Sequence, residues 1–180
     1  MEFWEWIFLI YAQVPDSVTN TFIAVPLKPL LQHYTSEVLV NQTQTLDLMI
    51  DTGDNSSISL NSEAWQKVFS TNRVNAMKAT VAGVGNQMAQ SQIGLVRQLT
   101  VRGLNYTNLH ATSIRNPSDP SHLGLGFFRR HQVVFDFANR KLYLQPGQQF
   151  SKPDQEDMSG LHLFTIPRQR QSHIASQAGR

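Results

Sequence analysis

Cysteine is absent from this 180-residue chain, which excludes disulfides, thiolate metal sites and a cysteine nucleophile and leaves the redox compartment open. Charge of one sign is also scarce. Fifteen Lys and Arg face 13 Asp and Glu, for a formal net charge of +2, and they are scattered without the dense basic run that marks nucleic-acid binding. No nucleic-acid partner is expected. The six histidines, His33, His110, His122, His131, His162 and His173, contain no close ligand pair of the His-Glu-x-x-His kind, so neither a metal site nor a cofactor is expected. Long apolar runs are missing as well. The stretch from Trp4 to Tyr11 falls short of the ~20 residues of a membrane span, and Glu2 and Glu5 stand where a secretory signal carries positive charge. No integral membrane span is expected. The run itself stays open to three readings: a degraded signal, which would place the protein in a periplasm or outside the cell, an interfacial segment, or an added strand on the core.

What is present suits one packed domain: 41% hydrophobic residues, with 10 Gly and 8 Pro as punctuation. Alternating apolar residues predict a strand over 21–28, ended by Pro26 and Pro29. Two further strands, 36–40 and 45–50, meet across the polar turn Asn41 to Gln44. A strand is expected over 55–60, and then a short helix capped by Asn61 or Ser62. Strand signals continue at 78–81, 93–102 and 109–114. A second short helix is expected at 125–130, and a hairpin joins 131–137 to 141–144. This is a mainly β pattern with one or two short helices. The expected division is an N-terminal segment over 1–34, a domain over 35–147, a Gly/Gln/Ser/Pro linker over 148–156 and a tail over 157–180.

Two short elements could carry chemistry. Asp51-Thr52-Gly53 closes an apolar strand, Leu46 to Ile50, and precedes small polar residues and a new strand. An acid is thereby placed at a tight turn between buried strands, where a carboxylate is costly unless it is paired or used. The second element is Ser121-His122-Leu123-Gly124-Leu125-Gly126-Phe127-Phe128, an apolar strand end whose glycines permit close backbone approach, leading into a helix. In this order, and with the hairpin Val133-Val134-Phe135-Asp136-Phe137-Ala138-Asn139-Arg140-Lys141-Leu142-Tyr143-Leu144 behind them, they resemble the retropepsin-like aspartic peptidases, particularly the bacterial single-domain kind. The resemblance runs from about Ser36 to Pro146.

It implies a closed, mostly antiparallel acid-protease barrel. Asp51 would be the catalytic carboxylate, Thr52 would lock its loop to a partner loop and Gly53 would let the backbones meet. Leu123, Gly124 and Leu125 would form the psi-loop beside the substrate pocket. Gly83, Val84 and Gly85 would lie in a flap over the substrate, although a plain glycine hairpin loop explains them as well. Such chemistry needs two carboxylates about 3 Å apart sharing one proton. No second Asp-Thr-Gly or Asp-Ser-Gly occurs here, so the partner acid is expected from a second copy in a two-fold homodimer acting on peptide or protein substrates. Two positions depart from the family pattern: Asp54 stands where Ala or Ser is usual, and His122 replaces an apolar residue. They keep open an inactive peptide-binding or dimerisation module of the same fold. The tail from Asp157 resembles the start of a PDZ domain, which would capture peptide C-termini, or is a disordered polar tail.

Overall fold

The computed structural model describes residues 13–69, 77–82, 88–114, 116–152 and 154. The apolar run before residue 13, the expected flap residues Gly83, Val84 and Gly85, and the PDZ-like tail over 157–180 lie outside these residues.

A short helix, α1 (Asp16–Thr21), leads into β1 (Ile23–Pro26) and β2 (Lys28–Leu30). Next come β3 (His33–Val40) and β4 (Gln44–Asp51). Their turn is built by Asn41 and Gln42 at φ +48° and +60°, both left-handed, and is closed by Thr43 N–H donating to Val40 O at 3.1 Å. The chain continues through β5 (Ile58–Leu60), α2 (Ser62–Phe69), β6 (Met77–Ala82), β7 (Met88–Val101) and β8 (Leu104–Ser113). It finishes with β9 (His122–Gly124), α3 (Leu125–Phe128), β10 (His131–Asp136) and β11 (Lys141–Pro146). Asn61 caps α2, its Oδ1 accepting from Ala64 N–H at 2.9 Å, as expected for Asn at that position.

Hydrogen-bonded neighbours run β2-β3-β4-β9-β5-β8-β7-β6, and β3 also pairs with β7, so β3, β4, β9, β5, β8 and β7 close into a six-stranded barrel. Asn41 staples the seam: its N–H donates to Gln98 O at 2.7 Å, and its Oδ1 accepts from Arg97 and Gln98 N–H at 3.1 and 3.2 Å. Most pairings are antiparallel. The exceptions are β4 with β9 and β5 with β8, which are parallel. A second sheet, β1-β11-β10, packs beside the barrel.

The core fills the barrel because alternate strand positions point inward. Val38, Val40, Leu48, Ile58, Leu60, Val96, Leu99, Leu109, Leu123, Phe127, Leu142 and Leu144 are fully buried. Each contributes about 1.5–3 kcal/mol by leaving water. In β8 the inward face changes phase, from Leu104 and Tyr106 to Leu109 and Ala111, with Asn108 at φ +55° at the crossover. The strand expected over 55–60 is shorter in the structure, because the carbonyls of Ser56 and Ser57 bond to the β9–α3 corner instead of to a ladder. Among the described residues no helix is long and apolar enough to cross a membrane.

Candidate active site

Asp51 is the last residue of β4, where the strand leaves the barrel. Gly53 N–H donates to its Oδ1 at 2.9 Å, so the turn fixes the orientation of the carboxylate. A Cβ on Gly53 would lie 3.2 Å from the same oxygen, so a side chain there would push the carboxylate aside by a few tenths of an ångström. Thr52 and Gly53 are exposed at the tip of the turn, and a third of the Asp51 side chain is open to solvent. The triplet presents an acid at the rim of the barrel.

The second sequence element is brought against the first. β9 inserts between β4 and β5, aligning Ile50 with Leu123, Asp51 with Gly124 and Ile58 with Leu123. Leu123 is fully buried in the core, and Leu125 is only partly covered. The loop after Asp51 lies directly on this corner. Gly124 N–H donates to Ser57 O at 3.1 Å, Leu125 N–H to Asp54 O at 2.6 Å and Gly126 N–H to Ser56 O at 3.0 Å. A Cβ on Gly124 would sit 2.3 Å from Ser56 O and 2.7 Å from Asp54 O, and one on Gly126 would sit 2.8 Å from Ser57 N. Both glycines are needed because backbone occupies the space of a side chain.

The two departures from the family pattern meet at this corner. His122 Nδ1 lies 3.6 Å from Asp51 Oδ2 and 3.5 Å from Asp54 Oδ2, charge contacts longer than good hydrogen bonds. Asp54 is also held by Ser56 N–H at 2.9 Å, Ser56 Oγ at 2.6 Å and Ser59 Oγ at 2.6 Å. Burial penalises its charge, but the contacts of His122, Ser56 and Ser59 outweigh burial and hold its carboxyl well below the usual carboxylate range. Asp54 is therefore an ionised structural anion locked into its own loop. Although Asp51, Asp54 and His122 gather here, no group of His, Asp or Glu among the described residues has the arrangement of a metal site.

A further support has no counterpart in the sequence reading. Asp154 Oδ1 accepts from Ser57 Oγ at 3.0 Å and from an Arg130 guanidinium nitrogen at 2.6 Å, and its Oδ2 accepts from His110 N–H at 2.7 Å. Arg130, itself buried, also donates to the carbonyls of Phe150 and Lys152. The chain beyond β11 thus straps back under the loop that carries Asp54. The Ser56-Ser57-Ile58-Ser59 run was the available signal for the serines, whereas nothing marked Arg130 or Asp154. A groove of about 420 Å³, lined by residues that include Lys28, Leu30, Asp47, Glu63 and Lys67, lies elsewhere, and neither Asp51, Asp54 nor His122 lines it.

This barrel, with an acid-bearing turn seated on a glycine corner, is the fold of retropepsin-like aspartic proteases. A retropepsin-like aspartic protease from Rickettsia conorii matches it with a TM-score of 0.51 and 21% identity, covering 68% of this chain and 88% of that one. The EIAV protease complexed with the inhibitor HBY-793 matches at a TM-score of 0.45 and 18% identity, covering 57% of this chain and 90% of that one. The retroviral protease-like domain of Ddi1 from Leishmania major matches at 0.39 and 16% identity, covering 70% and 95%. No family model and no curated protein matches the chain. At these identities the likeness defines the fold.

Proposed function

We propose that this protein is an aspartic endopeptidase that works as a homodimer, with Asp51 of two copies forming the catalytic pair on a two-fold axis. The observation that carries this reading is the placement of Asp51: an accessible carboxylate at a strand end, oriented by Gly53 N–H at 2.9 Å, on a turn seated against the glycines of the β9–α3 corner. One acid per chain makes half a site, and exposed Thr52 and Gly53 are free to meet a second copy of the turn. In the dimer the two carboxylates share a proton. The ionised one takes a proton from water, whose oxygen bonds to the scissile carbonyl carbon, while the protonated one gives its proton to the carbonyl oxygen. Collapse of the tetrahedral intermediate breaks the C–N bond as the amine takes up a proton.

Asp51→Asn tests this. It should abolish cleavage of an unfolded protein substrate at acidic pH and leave a folded dimer in sedimentation. Undiminished cleavage would refute the assignment, and a strictly monomeric wild type would refute the shared site. The rival, a folded module that binds peptide without turnover, is favoured by the crowding of Asp54 and His122 against Asp51. It predicts peptide binding with no cleavage in either variant.

A further inference from the structure

The two positions that look like defects in the sequence are joined in space through one imidazole. His122 is carried by β9 between β4 and β5, opposite Met49 and Ser59, and its Nδ1 faces both the Asp51 and the Asp54 carboxylates. Among the described residues His122 is the basic side chain within ion-pair distance of Asp51, and neither β5 nor α3 adds a charged side chain to this face. In the loop before β9, the Asp119 carboxylate is taken up by Asn116 Nδ2 at 2.9 Å. The groups facing His122 are therefore Asp51 from β4, Asp54 from its loop and the Ser59 hydroxyl from β5, which is itself bonded to Asp54.

We infer that His122 is a positioning residue for Asp51: with Nδ1 set between the two carboxylates, its ring offsets, when it carries a proton, the extra negative charge that Asp54 brings to the site and makes that charge tolerable beside a carboxylate pair. This rests on the assignment of Asp51 as the catalytic acid. The geometry supports it in two ways. Asp54 is anchored by three hydrogen bonds from Ser56 and Ser59, so it cannot turn away when the counter-charge is removed. At ion-pair distances in a partly buried site, a missing cation leaves two like charges facing each other, a situation protein structures avoid. Asp54 and His122 thus act as one unit, and the effect of losing either depends on the other.

A double-mutant cycle separates compensation from a bland packing role. His122→Leu should lower kcat/KM about tenfold or more when Asp54 is present, and less than about threefold when it is made in an Asp54→Ser background. Its pH–rate profile should lose activity on the acidic side first, by up to about tenfold relative to neutral pH, because a nearby cation favours ionised carboxylates. His122→Gln keeps a hydrogen-bond donor without the charge and should fall with His122→Leu, whereas His122→Lys should recover part of the loss. Equal losses in the two backgrounds, or a His122→Gln variant with wild-type rate and pH profile, would overturn the inference. The same cycle read in the urea-unfolding equilibrium needs no turnover: the His122→Leu effect should again be several-fold larger with Asp54 than with Ser. Coupling in unfolding without any peptidase activity would refute the assignment of Asp51 and leave the compensation standing; additivity in unfolding would refute the compensation itself.

Discussion

Acid should weaken this fold through His131 before it reaches any carboxylate, and the size of the effect can be worked from the geometry. His131 is 7% exposed, with Nδ1 at 3.1 Å from Phe127 O and Nε2 at 2.8 Å from the Tyr106 hydroxyl. A carbonyl oxygen only accepts, so Nδ1 carries the ring hydrogen and Nε2 accepts from Tyr106. Tyr106 remains a donor because burial raises its own pKa. Burial lowers His131 from 6.5 to about 4, with the Arg130 charge adding to the effect and the Phe127 and Phe128 carbonyls opposing it. The unfolded chain takes up this proton near pH 6.5 and the folded chain only near 4. Stability from the neutral ring is therefore complete above pH 6.5 and is lost as pH falls towards 4, at up to about 1.4 kcal/mol per pH unit, roughly 3 kcal/mol in all. For a chain of this size that is about 6–12 °C in Tm. Asp54 acts in a separate window: with its folded pKa depressed, its contribution is present above the usual carboxylate range and lost only below about pH 4. Thermal unfolding at fixed protein concentration, in steps from pH 7 to 4, should show this slope in the wild type. His131→Phe, which starts lower by about 1–3 kcal/mol because Tyr106 loses its acceptor, should show a flatter one. Parallel curves for the two proteins would refute the argument.

Other perturbations test the corner and the strap. Gly124→Ala places a Cβ 2.3 Å from Ser56 O and should cost about 3 kcal/mol or more in urea unfolding, since the neighbour is backbone and cannot rotate away; wild-type stability would mean that the corner is looser than described. Asp154→Ala leaves buried Arg130 without its counter-ion and should cost about 2–3 kcal/mol, discounted because the carboxylate is 19% exposed. Arg130→Met combined with Asp154→Ala should cost less than the two single losses added together, and an additive result would show that the pair is not coupled. Loosening this strap should also raise hydrogen exchange at residues 54–57, because Ser57 loses its bond to Asp154.

Much of the frame was legible in the chain because it depends on local rules. Strand alternation set Val38 and Val40 inward, the polar stretch after Val40 became a tight turn at Asn41 and Gln42, and Asn61 capped α2 through its own side chain. Asp51-Thr52-Gly53 marked an acid at a turn that ends a strand, and Leu123-Gly124-Leu125 marked a missing Cβ where backbones meet. Both requirements act within a few residues, so a linear pattern records them.

What the charged groups do was decided only by the tertiary structure. In sequence Asp54 and His122 are separate departures, and only the parallel pairing of β9 with β4 sets one nitrogen of His122 against Asp51 and Asp54 together. Ser57 and Asp154 lie 97 positions apart, and they touch because the chain turns back under the barrel after β11. Hydrophobic burial has a period that the sequence repeats, whereas a hydrogen bond or an ion pair depends on two atoms brought within a few ångströms by strands whose pairing no local pattern encodes. The sequence by itself determined a mainly β chain with one acid at a turn; the closed barrel determined which charges that acid must share its site with.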